Sequence, residues 1–293
     1  MNVFVLAGTE DGRKLAIEFQ NQGHQVLLST LTGYGAELAE SEGLQARYGA
    51  LEEDQLIEML KENKINALVD ATHPYAERIH ALAKRVCQSA KVSYYRFERP
   101  EGQYPKHSLI HWAQDIEEAA LMANQLGNRI FLSTGSKNLK QWMDCLEIKT
   151  REIFVRVLPT AEVIKQCEET GFKPYQIIAA QGPFTRDFNK ALWNQLKIDV
   201  VITKESGQIG GTEDKVQACL ELKIPVIILK RPREFPFREI IESSELDSDD
   251  LKSGKSVNIK SGEETGLSED NSFEMSEMNR NIKDFVRKVE SRV

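Results

Sequence analysis

The sequence is short of several things that would have fixed a class at once. Its 293 residues include four cysteines, Cys87, Cys145, Cys167 and Cys219, none in a C-x-x-C pair. That excludes a disulfide framework or a zinc knot and predicts reduced, structural thiols. Five histidines, His24, His73, His80, His107 and His111, fall at no ligand spacing, so no metal site is expected. No apolar run approaches the ~20 residues of a membrane span, and the mean hydropathy is -0.42. The opening MNVFVLAGTEDG has no basic leader region and reads as a buried strand entering a glycine turn, which predicts a cytoplasmic chain. Nor is there a basic excess. With 38 Lys and Arg against 45 Asp and Glu, the net charge of -7 argues against a nucleic-acid binder.

The negative charge is unevenly spread. Between Glu239 and Glu274 stand eleven acidic residues and three lysines, so that stretch alone carries -8 and the rest of the chain +1. Residues 239–274 are too poor in apolar groups to offset the cost of ordering and are expected to be a disordered insertion. After it, Met278, Ile282, Phe285, Val286 and Val289 recur at helical spacing, which predicts an amphipathic helix over 275–293 docking on the body.

The body alternates short β-branched runs with amphipathic stretches, the pattern of βαβ units. One series has strands at Val3 to Ala7, Gln25 to Ser29, Ala67 to Ala71 and Ser93 to Phe97, with helices from Gly12, Glu53 and Tyr75. A second has strands at Ile130 to Ser133, Ile153 to Leu158, Gln176 to Ala180, Val200 to Thr203 and Val226 to Lys230, with helices from Ala113, Ala161, Thr185 and Gly211. The expectation is an α/β protein of two Rossmann-like lobes with mainly parallel sheets and an interlobe cleft, a cofactor-binding lobe over 1–105 and a second lobe over 106–238.

Residues suited to chemistry collect where strands end. The first strand runs into Gly8-Thr9-Glu10-Asp11-Gly12, a turn that lets backbone approach a phosphate at a helix N-terminus, although the G-x-G-x-x-G fingerprint is incomplete. The second ends at Ser29-Thr30 with no acidic residue to read a ribose 2'-hydroxyl, which favours NADPH, with NADH as the alternative. The third ends in Asp70-Ala71-Thr72-His73-Pro74-Tyr75. Pro74 is expected to open a helix, presenting His73 and Tyr75 at the sheet edge as proton donors or turn residues. The second series repeats the device in Ser133-Thr134-Gly135-Ser136-Lys137, in Thr203-Lys204-Glu205-Ser206-Gly207 and in Gly210-Gly211-Thr212. Lys215 sits in the first turn of the following helix, where a cation opposes the dipole and suggests an anionic partner.

Taken in order, G-T-x-D-G-R-x-L-A, D-A-T-H-P-Y-A, S-T-G-S-K and T-K-E-S-G-x-x-G-G-T-x-x-K resemble the precorrin-6A reductase family of cobalamin biosynthesis, including its cobalt-precorrin-6A branch, from Met1 to about Pro232. The resemblance implies a two-lobed reductase that transfers a hydride from a nicotinamide cofactor to a tetrapyrrole. It implies Gly8, Thr9, Ser29, Thr134, Gly135, Lys204, Ser206, Thr212 and Lys215 as cofactor contacts. Arg78, Lys137 and Arg186 are expected to clamp substrate carboxylates, and His73 and Tyr75 are the candidate catalytic residues, with solvent an equal source of the proton. Other enzymes of the pathway are candidate partners. The acidic insertion departs from the family's compact end. Two other readings stand beside this one: another Rossmann-type nicotinamide reductase, which lacks its expected Tyr-x-x-x-Lys pair, and a nucleotide-sensing regulatory module, which lacks an intact fingerprint.

Overall fold

A computed structural model describes residues 1–98, 102–207, 210–232 and 271–293. The insertion expected over 239–274 lies outside the described residues as far as residue 270, and Asn271 already belongs to the C-terminal helix. By its contacts the chain divides into two units. One comprises Met1–Thr72, Ala76–Phe97 and that helix; the other comprises His73–Tyr75 and the described residues between Glu98 and Pro232.

The first unit is built on β1 (Asn2–Leu6), α1 (Glu10–Asn21), β2 (Gln25–Thr30), α2 (Gly33–Ser41), β3 (Gln45–Tyr48), α3 (Glu53–Glu62), β4 (Ala67–Asp70), α4 (Glu77–Ala90) and β5 (Ser93–Arg96). The strands pair in the parallel order β3-β2-β1-β4-β5, the Rossmann sequence, and the winding reverses between β1 and β4. Both faces are covered, which is why Val3–Leu6 of β1 and Ala67–Val69 of β4 read as unbroken apolar runs. Val3, Val5, Leu15 and Phe19 pack on one face with Ile282, Val286 and Val289 of the C-terminal helix; Phe4, Leu6, Leu56 and Leu82 pack on the other.

The second unit contains β6 (Ile110–Ala113), α5 (Ile116–Leu126), β7 (Arg129–Ser133), α6 (Leu139–Cys145), β8 (Glu152–Val157), α7 (Ala161–Glu169), β9 (Ile177–Ala179), α8 (Arg186–Gln195), β10 (Val200–Lys204), α9 (Thr212–Leu222) and β11 (Val226–Leu229); α10 (Asn271–Glu290) closes the chain. Its six strands are parallel in the order β6-β11-β10-β7-β8-β9, and the winding reverses between β7 and β10. Ile130, Leu132, Val200 and Ile202 face a core with α5, α6 and α7. Phe131, Phe154 and Val201 face the opposite core, with Trp193 of α8 and Val216 of α9.

Several local expectations need correction. Pro74 does not open a helix: α4 starts at Glu77, because the Tyr75 amide donates to His73 Nδ1 (3.3 Å) and the Tyr75 hydroxyl is drawn to the carbonyls of Leu229 (2.7 Å) and Lys230 (2.9 Å). Ala113 ends a strand instead of starting a helix. The helix begins at Ile116, where the Asp115 carboxylate accepts from the Glu118 amide. The short elements α2, β3, β6 and α6 are additional to those expected. No helix among the described residues is long and apolar enough to cross a membrane.

Candidate functional site

In open parallel sheets, ligands bind at the carboxyl ends of the strands where the winding reverses. In the first unit that position is the β1–α1 turn beside the end of β4. Gly8 is exposed, and a Cβ there would meet nothing within 4 Å. Gly12 is the opposite case: a Cβ would fall 2.8 Å from Ala7 Cβ and 3.4 Å from the Ala71 carbonyl, so only glycine lets α1 lie against the strand ends. Thr9 is the N-cap of α1, yet its side chain makes no cap bond and its Oγ1 is buried without a partner. At the end of β2, Ser29 accepts a hydrogen bond from Arg47 Nη1 (2.9 Å), its register partner on β3. Arg47 also donates to the carbonyls of Tyr48 and Gly49 and has no ion pair among the described residues; burial lowers its pKa.

The end of β4 carries a buried charge. Asp70 is fully buried; it accepts from Arg96 Nη1 (2.8 Å), Thr72 Oγ1 (2.7 Å) and the Tyr94 hydroxyl (2.9 Å), and its Oδ2 lies 2.7 Å from His80 Nδ1. Burial opposes the anion, but the bond to His80 and the charge of Arg96 outweigh it and hold the carboxyl at about 2. The cluster fixes the strand end from which Thr72 and the following loop emerge.

In the second unit the reversal point gathers the loops after β7 and β10. Thr134 is buried with its Oγ1 unpartnered, and Gly135 turns the chain at φ +77°, where a side chain would be strained. Lys204 caps β10 with its ammonium 4.9 Å from the centre of the Tyr75 ring; burial, then the charge of Lys137, lowers its pKa to about 8. The next residue, Glu205, is a buried hub. It accepts from the amides of Gly102 (3.1 Å) and Gly207 (2.9 Å) and from the Tyr104 hydroxyl (3.0 Å), and it pairs with Arg231. Tyr75 has its pKa raised strongly by burial and by Glu205, so its hydroxyl keeps its proton.

The expected site residues thus part into groups. Gly8, Thr9 and Ser29 gather at the first reversal point, and Thr134, Gly135 and Lys204 at the second. Ser206 and Thr212 instead close the β10–α9 loop on itself. Their hydroxyls lie 2.8 Å apart, and Thr212 Oγ1 donates to the Lys204 carbonyl (2.9 Å). Lys215 donates to the Gly210 carbonyl (3.1 Å). Tyr75 is held by backbone carbonyls, which suits it to positioning Lys204 better than to giving up a proton. Arg78 pairs with Glu52 on the exposed surface of the first unit, and Arg186 pairs with Glu221 (3.3 Å) at the start of α8; neither joins these clusters. Lys137 is exposed. Sequence reasoning missed Asp70 and Glu205 as hubs, and it missed Arg156. A signal existed for two of them: a charged residue inside an apolar strand run, as in ALVD or EIFVRV, has to be satisfied by something.

A family model described as precorrin-6x reductase CbiJ/CobK matches residues 2–248. The chain belongs to the precorrin-6x reductase family. Among its relatives, the cobalt-precorrin-6A reductase of Salmonella typhimurium is 42% identical over 232 residues, 79% of this chain and 88% of that one. The corresponding protein of Methanocaldococcus jannaschii is 35% identical over 236 residues, 80% and 91% of the two chains. The solved structure of CobK precorrin-6A reductase superposes with a TM-score of 0.64 at 25% identity, covering 80% of this chain and 89% of that chain. As a precorrin-6x reductase the chain is an oxidoreductase that requires a nicotinamide cofactor. The β1–α1 turn fits one: Gly8 leaves open space beside the strand end, Gly12 brings the helix N-terminus close, and the orphaned Thr9 hydroxyl offers a donor.

Proposed function

We propose that this precorrin-6x reductase reduces cobalt-precorrin-6A or its metal-free counterpart in cobalamin biosynthesis, with NADPH as the reductant. The observation that carries this reading is the 42% identity, over 232 residues, to a cobalt-precorrin-6A reductase. The bound nicotinamide supplies the hydride. Gly8, Thr9 and the first turn of α1 hold its phosphates from the first unit. The preference for NADPH over NADH is supported by the absence of a carboxylate at the end of β2 and by Arg47, whose guanidinium already touches Ser29. Thr134, Gly135 and Lys204 offer hydroxyl, backbone and ammonium donors to anionic groups of the ligands, Lys137 adds exposed positive charge beside them, and Tyr75 steadies Lys204. His73, at the sheet edge, is the side-chain candidate for delivering the proton.

Four unbridged cysteines support a reducing compartment, and the cytoplasm is the assignment that follows. The other enzymes of the pathway, which make and consume the same tetrapyrroles, are the partners this reading implies. The test is anaerobic turnover of precorrin-6A and cobalt-precorrin-6A with each reduced nicotinamide, followed by loss of cofactor absorbance. Cofactor consumption that depends on either tetrapyrrole is expected, and none with any tetrapyrrole overturns the reading. Arg47→Ala should raise the KM for NADPH by about tenfold or more and leave that for NADH little changed. If His73→Ala and Tyr75→Phe both keep full turnover, the proton comes from solvent.

A further inference from the structure

Beneath the reversal point of the second sheet, on the face covered by α8 and α9, lies a polar row in an otherwise apolar layer. Thr203 of β10 pairs in register with Ser133 of β7, and Ser133 lies beside Arg156 of β8. Strand alternation points all three to the side of Phe131, Phe154 and Val201. Arg156 is buried. Its Nη1 donates to Asn189 Oδ1 on α8 (2.7 Å), its Nη2 donates to Ser133 Oγ (2.9 Å), and the guanidinium stacks 4.1 Å from the centre of the Phe184 ring. Those bonds occupy two of its five N–H groups. Lys215 of α9, whose ammonium donates to the Gly210 carbonyl (3.1 Å), feels the positive charge of Arg156. Burial, then Arg156, lowers its pKa to about 7, and the neighbouring Asp214 acts the other way.

Neither cation has an ion pair among the described residues, and the Thr203 hydroxyl is fully buried with no hydrogen-bond partner. A buried guanidinium without a carboxylate partner and an unanswered hydroxyl on one sheet face are costly unless something negative completes them. Ser133 and Asn189 are neutral and supply no charge.

We propose that Arg156, Lys215 and Thr203 form an oxyanion pocket that receives a carboxylate of the tetrapyrrole. This rests on the substrate reading above. It gives Lys215 to the substrate instead of the cofactor, and adds Arg156, which no motif singled out, and the hydroxyl of Thr203. A planar guanidinium held by stacking, an ammonium and a hydroxyl are donors of the kind a carboxylate accepts. A cofactor phosphate has the same chemistry, so the test separates the two sources.

The full chain and two near-isosteric variants, Lys215→Met and Thr203→Val, are compared in three measurements. These are the melting temperature in sodium sulfate against sodium chloride at equal ionic strength, the KM for cobalt-precorrin-6A, and the Kd for reduced cofactor by nicotinamide fluorescence. Lys215→Met should lose the sulfate-specific rise and raise the tetrapyrrole KM at least about tenfold, with the cofactor Kd unchanged. Thr203→Val should melt no lower than the parent, since it removes an unsatisfied hydroxyl, and yet raise the same KM. Unchanged sulfate response and KM in both variants would overturn the pocket; a weakened cofactor Kd with an unchanged KM would overturn its assignment to the substrate. If the parent turns over no tetrapyrrole, the substrate reading fails, and the sulfate comparison still decides whether the oxyanion pocket exists.

Discussion

The buried carboxylate at the end of β4 makes a prediction with a definite size. Lowering Asp70 from an ordinary 3.8 to about 2 corresponds to about 2 kcal/mol in favour of the native state. Because the folded protein prefers the anion, that contribution is whole above pH 3.8. It shrinks by about 1 kcal/mol by pH 3 and is mostly gone near pH 2. Asp70→Asn deletes the charge but keeps the shape. Arg96, whose side chain is 2% exposed, then loses a buried carboxylate partner, and breaking such a pair from one side costs about 3–5 kcal/mol. The variant should therefore be less stable than the parent by that amount at pH 7, with the gap narrowing by about 1 kcal/mol at pH 3 and about 2 at pH 2. Urea unfolding followed by far-UV circular dichroism at each pH measures it. Tryptophan fluorescence is an internal control, since Trp112, Trp142 and Trp193 all lie in the second unit and Asp70 in the first. A gap that stays constant from pH 7 to pH 2 would refute the claim that His80, Arg96 and Thr72 hold Asp70 ionised.

Other consequences can be checked separately. Gly12→Ala drives a methyl to 2.8 Å from Ala7 Cβ, so it should cost about 1–3 kcal/mol in thermal unfolding and weaken cofactor binding by fluorescence titration. Ile282→Ala in α10 should cost about 2–5 kcal/mol, seen by circular dichroism, although it lies far along the chain from the strands it covers. Lys204, lowered to about 8, carries its charge below that pH and loses it above. Affinity for anionic ligand should accordingly fall between pH 7 and 9, and Lys204→Met should flatten that profile.

Much of this architecture can be read from residue order alone, for a physical reason. Strands β1, β4, β10 and β11 are buried on both faces, so Val3–Leu6, Ala67–Val69, Val200–Ile202 and Val226–Leu229 are continuous apolar runs that cannot be mistaken for loops. The edge strands β3 and β6 are short and half exposed, and QARY or IHWA carries neither an apolar run nor a clean alternation. Helix α2 begins Gly-Tyr-Gly and buries only Ala36 and Ala39, too little for a helical stripe. At the site, turns rich in Gly, Ser, Thr and Lys were visible because they interrupt the pattern. Which of their hydroxyls face a ligand was not. Thr212 and Thr134 look alike in sequence, but one is spent on the Lys204 carbonyl and the other is left unpartnered. Arg156 escaped notice because its contacts come from Ser133 and Asn189, far away along the chain.

The docking of α10 also sets an order of events during synthesis. Val3, Val5 and Leu15 share a core with Ile282, Val286 and Val289, so the N-terminal strands emerge from the ribosome long before their last neighbours exist. The second unit needs nothing beyond Leu229 to complete its described cores. A nascent chain should therefore finish its middle before its beginning, with the first sheet waiting, one face incompletely covered, until residue 289 has been added. Pulse proteolysis of stalled chains would show protection of the second unit first, and a chaperone that shields apolar strands would have its longest task at the N-terminus.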